Sequence, residues 1–479
     1  MKTKQVLELL RAHESRNVLF MEQDGSWPIV WERAKGVNIW DADGKKYLDL
    51  TAAFGVAAAG HANPNVVHAG QQQMAKLLHA MGDVHPHALK AELARELSRI
   101  TFERWQSKFR RDELHESQKS KARFGTRVTR PSGKTIFGSS GFEAVESALK
   151  TAMLATGRHG VIAFEGAYHG LGYGALNATH RDFFRSPFRS QLREFGHFVP
   201  FPKVGQASSL SPKHKSHLKK IATGDRQDAC PTLEAVESRI RQLFRREKIG
   251  AILVEPIQAR GGINVPPPGF LPLLRKLCDE HKALLILDEI YTGFGRTGKW
   301  FACEHTGVVP DIICLGKALT GGFPLSACVG RADVMDAAWP LSRGEAIHTS
   351  TFLGNPVGCA MALAQIKEIR DLELPERSAK LGEFILGELQ SQISNPKFQI
   401  TVRGMGLMVG MELRLPDGKP ATDEAMRVIK AMLRRGFILL PEGEHSNVIS
   451  FTPPLTITKV QLAKTVETLT EVLTTDGHR

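Results

Sequence analysis

Two residues in this chain carry more chemistry than any others. Asp288 closes an apolar run within Leu285-Ile286-Leu287-Asp288-Glu289, and Lys317 follows twenty-nine positions later in Leu315-Gly316-Lys317-Ala318-Leu319-Thr320-Gly321-Gly322. The first run predicts a buried strand that delivers a carboxylate to a site. A second run, Asp311-Ile312-Ile313-Cys314-Leu315, predicts a strand that delivers an amine on a glycine-bounded turn. A carboxylate at the end of an apolar strand is costly unless a cation pairs with it. A protonated pyridine nitrogen would serve, and so would a structural arginine such as Arg296. The small apolar neighbours of Lys317 suit close backbone approach and partial desolvation, which lowers an amine's pKa and frees its lone pair. A flat cationic ring lying between the two, bonded to the amine at one end and facing the acid at the other, is what pyridoxal phosphate requires.

Three further segments bear on such a ring. Phe137-Gly138-Ser139-Ser140-Gly141-Phe142-Glu143-Ala144 reads as a strand, a turn and a helix start, where free N–H groups and the helix dipole favour a phosphate. The plainer reading is an ordinary helix cap, Ser140 with Glu143 three residues on. Ala167-Tyr168-His169-Gly170 follows another strand, and its aromatic ring could stack on a heterocycle or simply pack in a loop. Glu255, in Val254-Glu255-Pro256-Ile257-Gln258, ends a third apolar run and could tune a neighbour by charge or cap a helix.

The elements that must hold these residues follow from periodicity. Ile29–Glu32, Val37–Trp40 and Lys46–Leu50 read as a small meander. Residues 64–100 are helical in pattern. Strands are predicted at Thr135–Phe137, Gly160–Phe164, Ala251–Val254, Ala283–Leu287, Ile312–Leu315 and Ser326–Val329. Helices at Glu143–Thr156, Leu233–Glu247 and Phe270–His281 alternate with them, which argues for an α/β fold with a mostly parallel sheet. A helix from Pro356 to about Ile369 follows. Helices at Ser378–Gln392 and Asp423–Arg435 and strands at Gly406–Leu413 and Val448–Phe451 then predict a smaller α+β domain. The domains expected are 1–62, an N-terminal part of the small domain; 63–370, large; and 371–479, small.

Composition adds limits. The chain has 479 residues, 42% hydrophobic and 24% charged, enough for a sizeable core. Six scattered cysteines with no CxxC pattern point to reduced thiols and a cytoplasmic protein, and no metal-ligand spacing stands out. No apolar run is long enough to span a bilayer, and residues 1–10 read as a short amphipathic helix. The net charge is +13, of which Arg104–Arg130 supplies +6 and Lys203–Asp228 +4. These two stretches, placed at about 104–131 and 203–228, read as basic surface insertions. A patch for an acidic partner or nucleic acid is the alternative, but no nucleic-acid motif accompanies them.

Taken jointly, the motifs resemble the class III aminotransferases, the fold type I pyridoxal-phosphate group that includes acetylornithine, ornithine and 4-aminobutyrate aminotransferases. The resemblance runs from about Trp31 to Thr458. It is carried, in the family's order, by Gly60-His61 with Pro64, Ser140-Gly141-Phe142-Glu143-Ala144, Tyr168-His169-Gly170, Glu255-Pro256-Ile257-Gln258, Asp288-Glu289-Ile290, Thr292-Gly293-Phe294-Gly295-Arg296-Thr297-Gly298, Gly316-Lys317 and Thr349-Ser350-Thr351-Phe352-Leu353-Gly354-Asn355-Pro356. It implies a seven-stranded, mostly parallel sheet with helices on both faces. It implies that Lys317 carries the cofactor and moves the proton, that Asp288 keeps the pyridine nitrogen protonated, and that Ser140, Gly141 and Phe142 bind the phosphate. Tyr168 would stack on the ring, with His169, Glu255 and Tyr291 also around the cofactor. Thr351 would complete the phosphate site from the partner subunit of a homodimer. The reaction implied is ping-pong transfer of an amino group from an amine donor to an oxo acid.

The chain departs from the family in places that bear on substrate. Ornithine- and 4-aminobutyrate-type relatives carry a glutamate where Arg260 stands and an arginine where Ser450 stands, so their glutamate–arginine pair is missing. Arg260 could supply a carboxylate-binding guanidinium from the opposite wall, or be a surface arginine packed on Phe451. Tyr291 stands where many relatives have a glutamine that reaches the cofactor's ring oxygen. Phe142 replaces a small residue, but only its backbone N–H is needed. Phe54 would be a pocket wall that favours a linear or apolar amine. An amino-acid racemase, epimerase or aminomutase would use the same Lys317 and Asp288, and a scaffold that has lost chemistry is the reading from another class.

Overall fold

A computed structural model describes residues 1–22, 25–106, 132–203 and 231–474. The two basic stretches therefore lie almost wholly outside the described residues. Trp31–Lys35 (β1), Asn38–Asp41 (β2) and Lys46–Asp49 (β3) form the N-terminal meander. The central strands are Gly133–Gly138 (β4), Gly160–Phe164 (β5), Gly196–Val199 (β6), Ile249–Val254 (β7), Leu284–Asp288 (β8), Ile312–Leu315 (β9) and Ser326–Arg331 (β10). Toward the C terminus come Gln399–Met405 (β11), Met408–Arg414 (β12), Phe437–Ile438 (β13), Leu440–Glu442 (β14) and Val448–Phe451 (β15).

The central sheet has seven strands in the order β4-β10-β9-β8-β7-β5-β6. Only β10 runs against its neighbours. Parallel strands buried on both faces read as continuous apolar runs, and β7 and β8 do so. Leu285, Ile286 and Leu287 are fully buried, each contributing roughly 1.5–3 kcal/mol. The long helix Gly141–Thr156 packs on β9 and β10, burying Ala144, Val145 and Ala148. β13 adds in parallel to β3, so the C-terminal segment closes the N-terminal meander. A third sheet, β11-β12-β15-β14, carries its helices on the outside of the same core.

The differences from the sequence reading have local causes. The helical pattern at 64–100 is two helices, Pro64–Lys76 and Ala88–Ser98, interrupted by a segment holding Gly82 and Pro86. β6 was not anticipated, because Gly-His-Phe-Val is short and only half-buried. The last helix, Lys459–Thr474, hides behind four threonines, which lower helix propensity.

Glu289, beside the acid of the pair, is a structural residue. Fully buried, it accepts from Ala302 N–H and Cys303 N–H, each at 2.8 Å, and from the Thr292 hydroxyl at 2.7 Å. Burial pushes its carboxyl up to about 7. The folded chain then holds a proton that the unfolded chain has lost, so this group's contribution to stability fades as pH rises from about 4.5 to 7. The slope is at most about 1.4 kcal/mol per pH unit. Glu289→Gln should remove it: thermal melts across that range should show the variant gaining on the parent as pH rises.

Candidate active site

The segments that follow β4, β5, β7, β8 and β9 line one cavity of about 540 Å³. This is the carboxyl edge of the parallel sheet, where open α/β folds bind ligands. Sheet register sets the arrangement. Val254 pairs with Leu287, which brings Glu255 beside Asp288; Asp288 pairs with Cys314, so Lys317 emerges three residues further along the adjacent strand. Lys317 holds a left-handed backbone (φ 41°), a conformation that turns the chain back over the sheet edge.

Asp288 is buried and held from two sides. Its Oδ2 lies 2.8 Å from His169 Nδ1, and its Oδ1 accepts from Ile290 N–H at 3.1 Å. For an ionised Asp288, His169 donates from Nδ1; its backbone is held by Thr179, whose hydroxyl accepts the His169 main-chain N–H at 2.9 Å. Arg296 is not the partner: its guanidinium donates to the carbonyls of Leu407 (3.0 Å) and Pro453 (2.5 Å). Glu255 accepts from Tyr168 N–H and Ala259 N–H, each at 3.0 Å. Burial, reinforced by Asp288, raises it to about 7, while His169 opposes the shift. It therefore both fixes the loop that carries Tyr168 and titrates close to neutrality.

The Lys317 amine lies 4.8 Å from the Tyr291 ring centroid. Burial lowers its pKa, against the pull of Asp288, Glu255 and Glu442. Tyr291 is buried, with its hydroxyl 3.1 Å from that of Thr452. Gly170, at φ 106°, lets the backbone pass Phe142 so closely that an added Cβ would lie 2.4 Å from the Phe142 Cβ.

Ser140 caps the helix Gly141–Thr156, and Glu143 accepts the backbone N–H groups of Ser139 and Ser140 (2.9 Å). The Ser140 hydroxyl is buried with no hydrogen-bond partner. The N–H groups of Gly141 and Phe142 open the helix and have no acceptor within it. At Gly141 a Cβ would press on Ile290 at 3.1 Å. An orphaned hydroxyl, open first-turn donors, an acid and an amine around one cavity fit pyridoxal phosphate, with Ser140, Gly141 and Phe142 toward an anion and Asp288 toward a cationic ring.

The remaining expected residues divide. Phe54 lines the cavity at the end of a left-handed run, Ala52, Ala53 and Phe54 (φ 46°, 49° and 61°), each disfavoured by about 1–2 kcal/mol. Arg260 lines it too. Its guanidinium lies 5.6 Å from the Tyr168 ring, and its Nε is 3.6 Å from Glu442 Oε2. Ser450 does not face the cavity: it is buried in β15 and its hydroxyl donates to the Leu440 carbonyl at 3.1 Å. Thr351 is exposed and lies outside this cavity. Glu442 and Arg181 act on the site from segments that no motif marked, and Thr452 from the segment that carries Ser450 and Phe451.

A family model described as aminotransferase class-III matches residues 20–473. An acetylornithine aminotransferase of Methanosarcina acetivorans is 34% identical over 450 residues, covering 94% of this chain and 93% of that protein. A putrescine aminotransferase of Pectobacterium atrosepticum is 36% identical over 457 residues, covering 94% and 83%. A solved structure of the ornithine aminotransferase of Toxoplasma gondii, described with partial occupancy of pyridoxal phosphate at its active site, superposes with a TM-score of 0.76 at 25% identity, covering 98% and 94%.

Proposed function

The chain belongs to the class III aminotransferases and is a pyridoxal-phosphate enzyme, and from that premise we propose how its own residues run the transfer of an amino group from an ω-amine or amino acid to an oxo acid. The observation that carries the reading is the placement of Asp288 and Lys317 at the edge of adjacent strands, around one cavity. Pyridoxal phosphate, when bound, supplies an electron sink next to the substrate carbon. Lys317 removes the substrate proton and returns it. Its depressed pKa enlarges the neutral fraction that can act as a base. Asp288, oriented by His169 and Ile290 N–H, keeps a fixed negative charge on the cavity floor. Ser140 with the N–H groups of Gly141 and Phe142 receives the phosphate, Tyr168 covers a ring face, and Tyr291 stands beside Lys317. Glu255 anchors the Tyr168 loop. Phe54 narrows the mouth toward a linear amine chain, which agrees with the ω-amines named for several relatives.

In this reading the enzyme is a homodimer, and Thr351 of the partner subunit completes the phosphate site. In support, Leu341, Ile347 and Phe352 on the same segment leave large apolar surfaces exposed. The division at residues 62 and 370 belongs to the reading as well. So does a cytoplasmic location, which the five buried, unpaired cysteines among the described residues support. No described helix is long and apolar enough to cross a membrane.

A half-reaction screen tests the function. α- and ω-amines mixed with the cofactor-loaded protein should deplete its visible band, and an oxo acid added afterwards should restore it. An enzyme that interconverts amino acids with no oxo acid present would instead be an isomerase.

A further inference from the structure

Tyr291 belongs to a chain of hydrogen bonds that ends on the strained turn at the cavity mouth. Its hydroxyl lies 3.1 Å from the Thr452 hydroxyl, which in turn donates to the Thr51 carbonyl at 3.2 Å. A carbonyl accepts and cannot donate, so the single Thr452 hydroxyl hydrogen goes to Thr51. The Tyr291 hydroxyl is therefore the donor to Thr452, and it has no second hydrogen to offer a cofactor oxygen. Where many relatives place a glutamine that reaches the ring oxygen, this phenol is committed elsewhere.

The same Thr51 carbonyl closes the turn, accepting from Gly55 N–H at 2.9 Å. Ala52, Ala53, Phe54 and Gly55 all hold left-handed backbone, with φ from 46° to 81°. Three of the four carry side chains, for which that conformation is costly. Such a turn persists only where its surroundings over-determine it. On one side Thr51 Oγ1 accepts from Ala53 N–H at 3.1 Å and donates to Asp49 at 2.6 Å. On the other, the Tyr291 ring packs so closely on Gly55 that an added Cβ would lie 3.0 Å from Tyr291 Cε1. Thr51, Thr452 and Tyr291 are all buried, so water does not compete for these bonds. Phe54, the third residue of the turn, lines the cavity.

We propose that Tyr291 is the positioning residue for Phe54: its ring and hydroxyl hold the left-handed turn in place, and the fixed Phe54 ring selects unbranched amine chains. This rests on the transaminase reading of the cavity. A wall that cannot retreat rejects a branched chain, whereas a wall freed from its support yields to it. Tyr291 also faces the Lys317 amine, 4.8 Å from its ring centroid, and a change in that contact would alter the rate for every amine. The ratio of rates for two amines cancels that effect and reports the wall.

The test compares pentylamine with its branched isomer 2,2-dimethylpropylamine, by the rate at which each depletes the visible band of the cofactor-loaded protein. The parent should prefer pentylamine. Tyr291→Phe keeps the ring and removes the hydroxyl, and the preference should fall about 3- to 10-fold. Thr452→Val leaves the phenol in place, breaks the chain one step further along, and should lower the preference at least as far. Added to Thr452→Val or to Phe54→Ala, Tyr291→Phe should shift the preference by less than about twofold, because all three act through one chain. The band maximum should stay in place in Tyr291→Phe, since the hydroxyl removed does not donate to the cofactor. Thermal melts close to the parent's show that the variants are folded. A parental preference in Tyr291→Phe, a full further drop on the Phe54→Ala background, a displaced band maximum in Tyr291→Phe, or a parent that reacts with other amines without preferring pentylamine would each overturn the proposal. Failure of the transaminase reading appears separately, as a parent band that no amine depletes.

Discussion

Lys317→Ala should end turnover while leaving the fold intact, with kcat down by on the order of 10⁴-fold or more. Both roles assigned to this side chain, holding the cofactor and moving the proton, depend on one nitrogen. No other lysine is among the residues lining the cavity. Alanine inherits the same left-handed backbone (φ 41°), so the strain at this position is not altered. Nor does the change leave a buried charge stranded, because Asp288 keeps His169 and Ile290 N–H as partners. Lys317→Arg should be almost as inactive. A guanidinium stays protonated at any working pH and cannot serve as a base. A small primary amine added to Lys317→Ala should restore part of the proton transfer, since the space vacated by the side chain opens on the cavity. Borohydride reduction of the loaded parent, followed by peptide mapping, should place the label on Lys317. A label elsewhere, or a variant that retains normal turnover, defeats the assignment.

The pair at the centre of the site was legible because it depends on short-range rules. Apolar runs of four to six residues announced β7, β8 and β9, and the acid or amine appears where each run stops. Register then converts sequence spacing into proximity: with Asp288 opposite Cys314, a residue three places beyond Cys314 must clear the same edge. The helix start at Ser140 was legible too, though its orphaned hydroxyl was not, since only the folded chain shows Glu143 N–H bonded to the Ser140 carbonyl. Glu442, Arg181 and Thr452 were illegible for a different reason. Arg181 lies 261 residues before Glu442, and Glu442 and Thr452 flank the strand bearing Ser450, so the three meet only in the folded chain. One signal existed. An arginine where relatives carry a glutamate asks for a counter-ion, and the strand bearing Ser450 was the place to look. Leu440 pairs with Ser450 and Glu442 with Val448, so the carboxylate sits two residues along the neighbouring strand. The charges of the expected pair are exchanged and displaced, not deleted.

Asp288→Asn should lower kcat by roughly 10²- to 10⁴-fold, corresponding to the roughly 3–5 kcal/mol typical of breaking a buried charge pair. Asparagine keeps the shape: its one carbonyl oxygen can still accept from Ile290 N–H, and its NH2 can donate to His169 Nδ1 once the imidazole carries its proton on Nε2, so the loss isolates charge from geometry. The fixed negative charge has two tasks in this account. It sets the protonation of whatever cation faces it, and it opposes the depression of the Lys317 pKa by burial. Without it Lys317 should titrate lower, so the acid limb of the kcat–pH profile should move to lower pH even as its plateau falls. A purely structural acid would give the opposite combination: a loss of thermal stability with the limb in place. His169→Asn supplies the control, since it leaves the carboxylate present but unoriented. It should give a smaller loss in kcat than Asp288→Asn, and should leave the Lys317 limb near its parent position. Equal losses in both variants would mean that orientation, and not charge, is what Asp288 contributes.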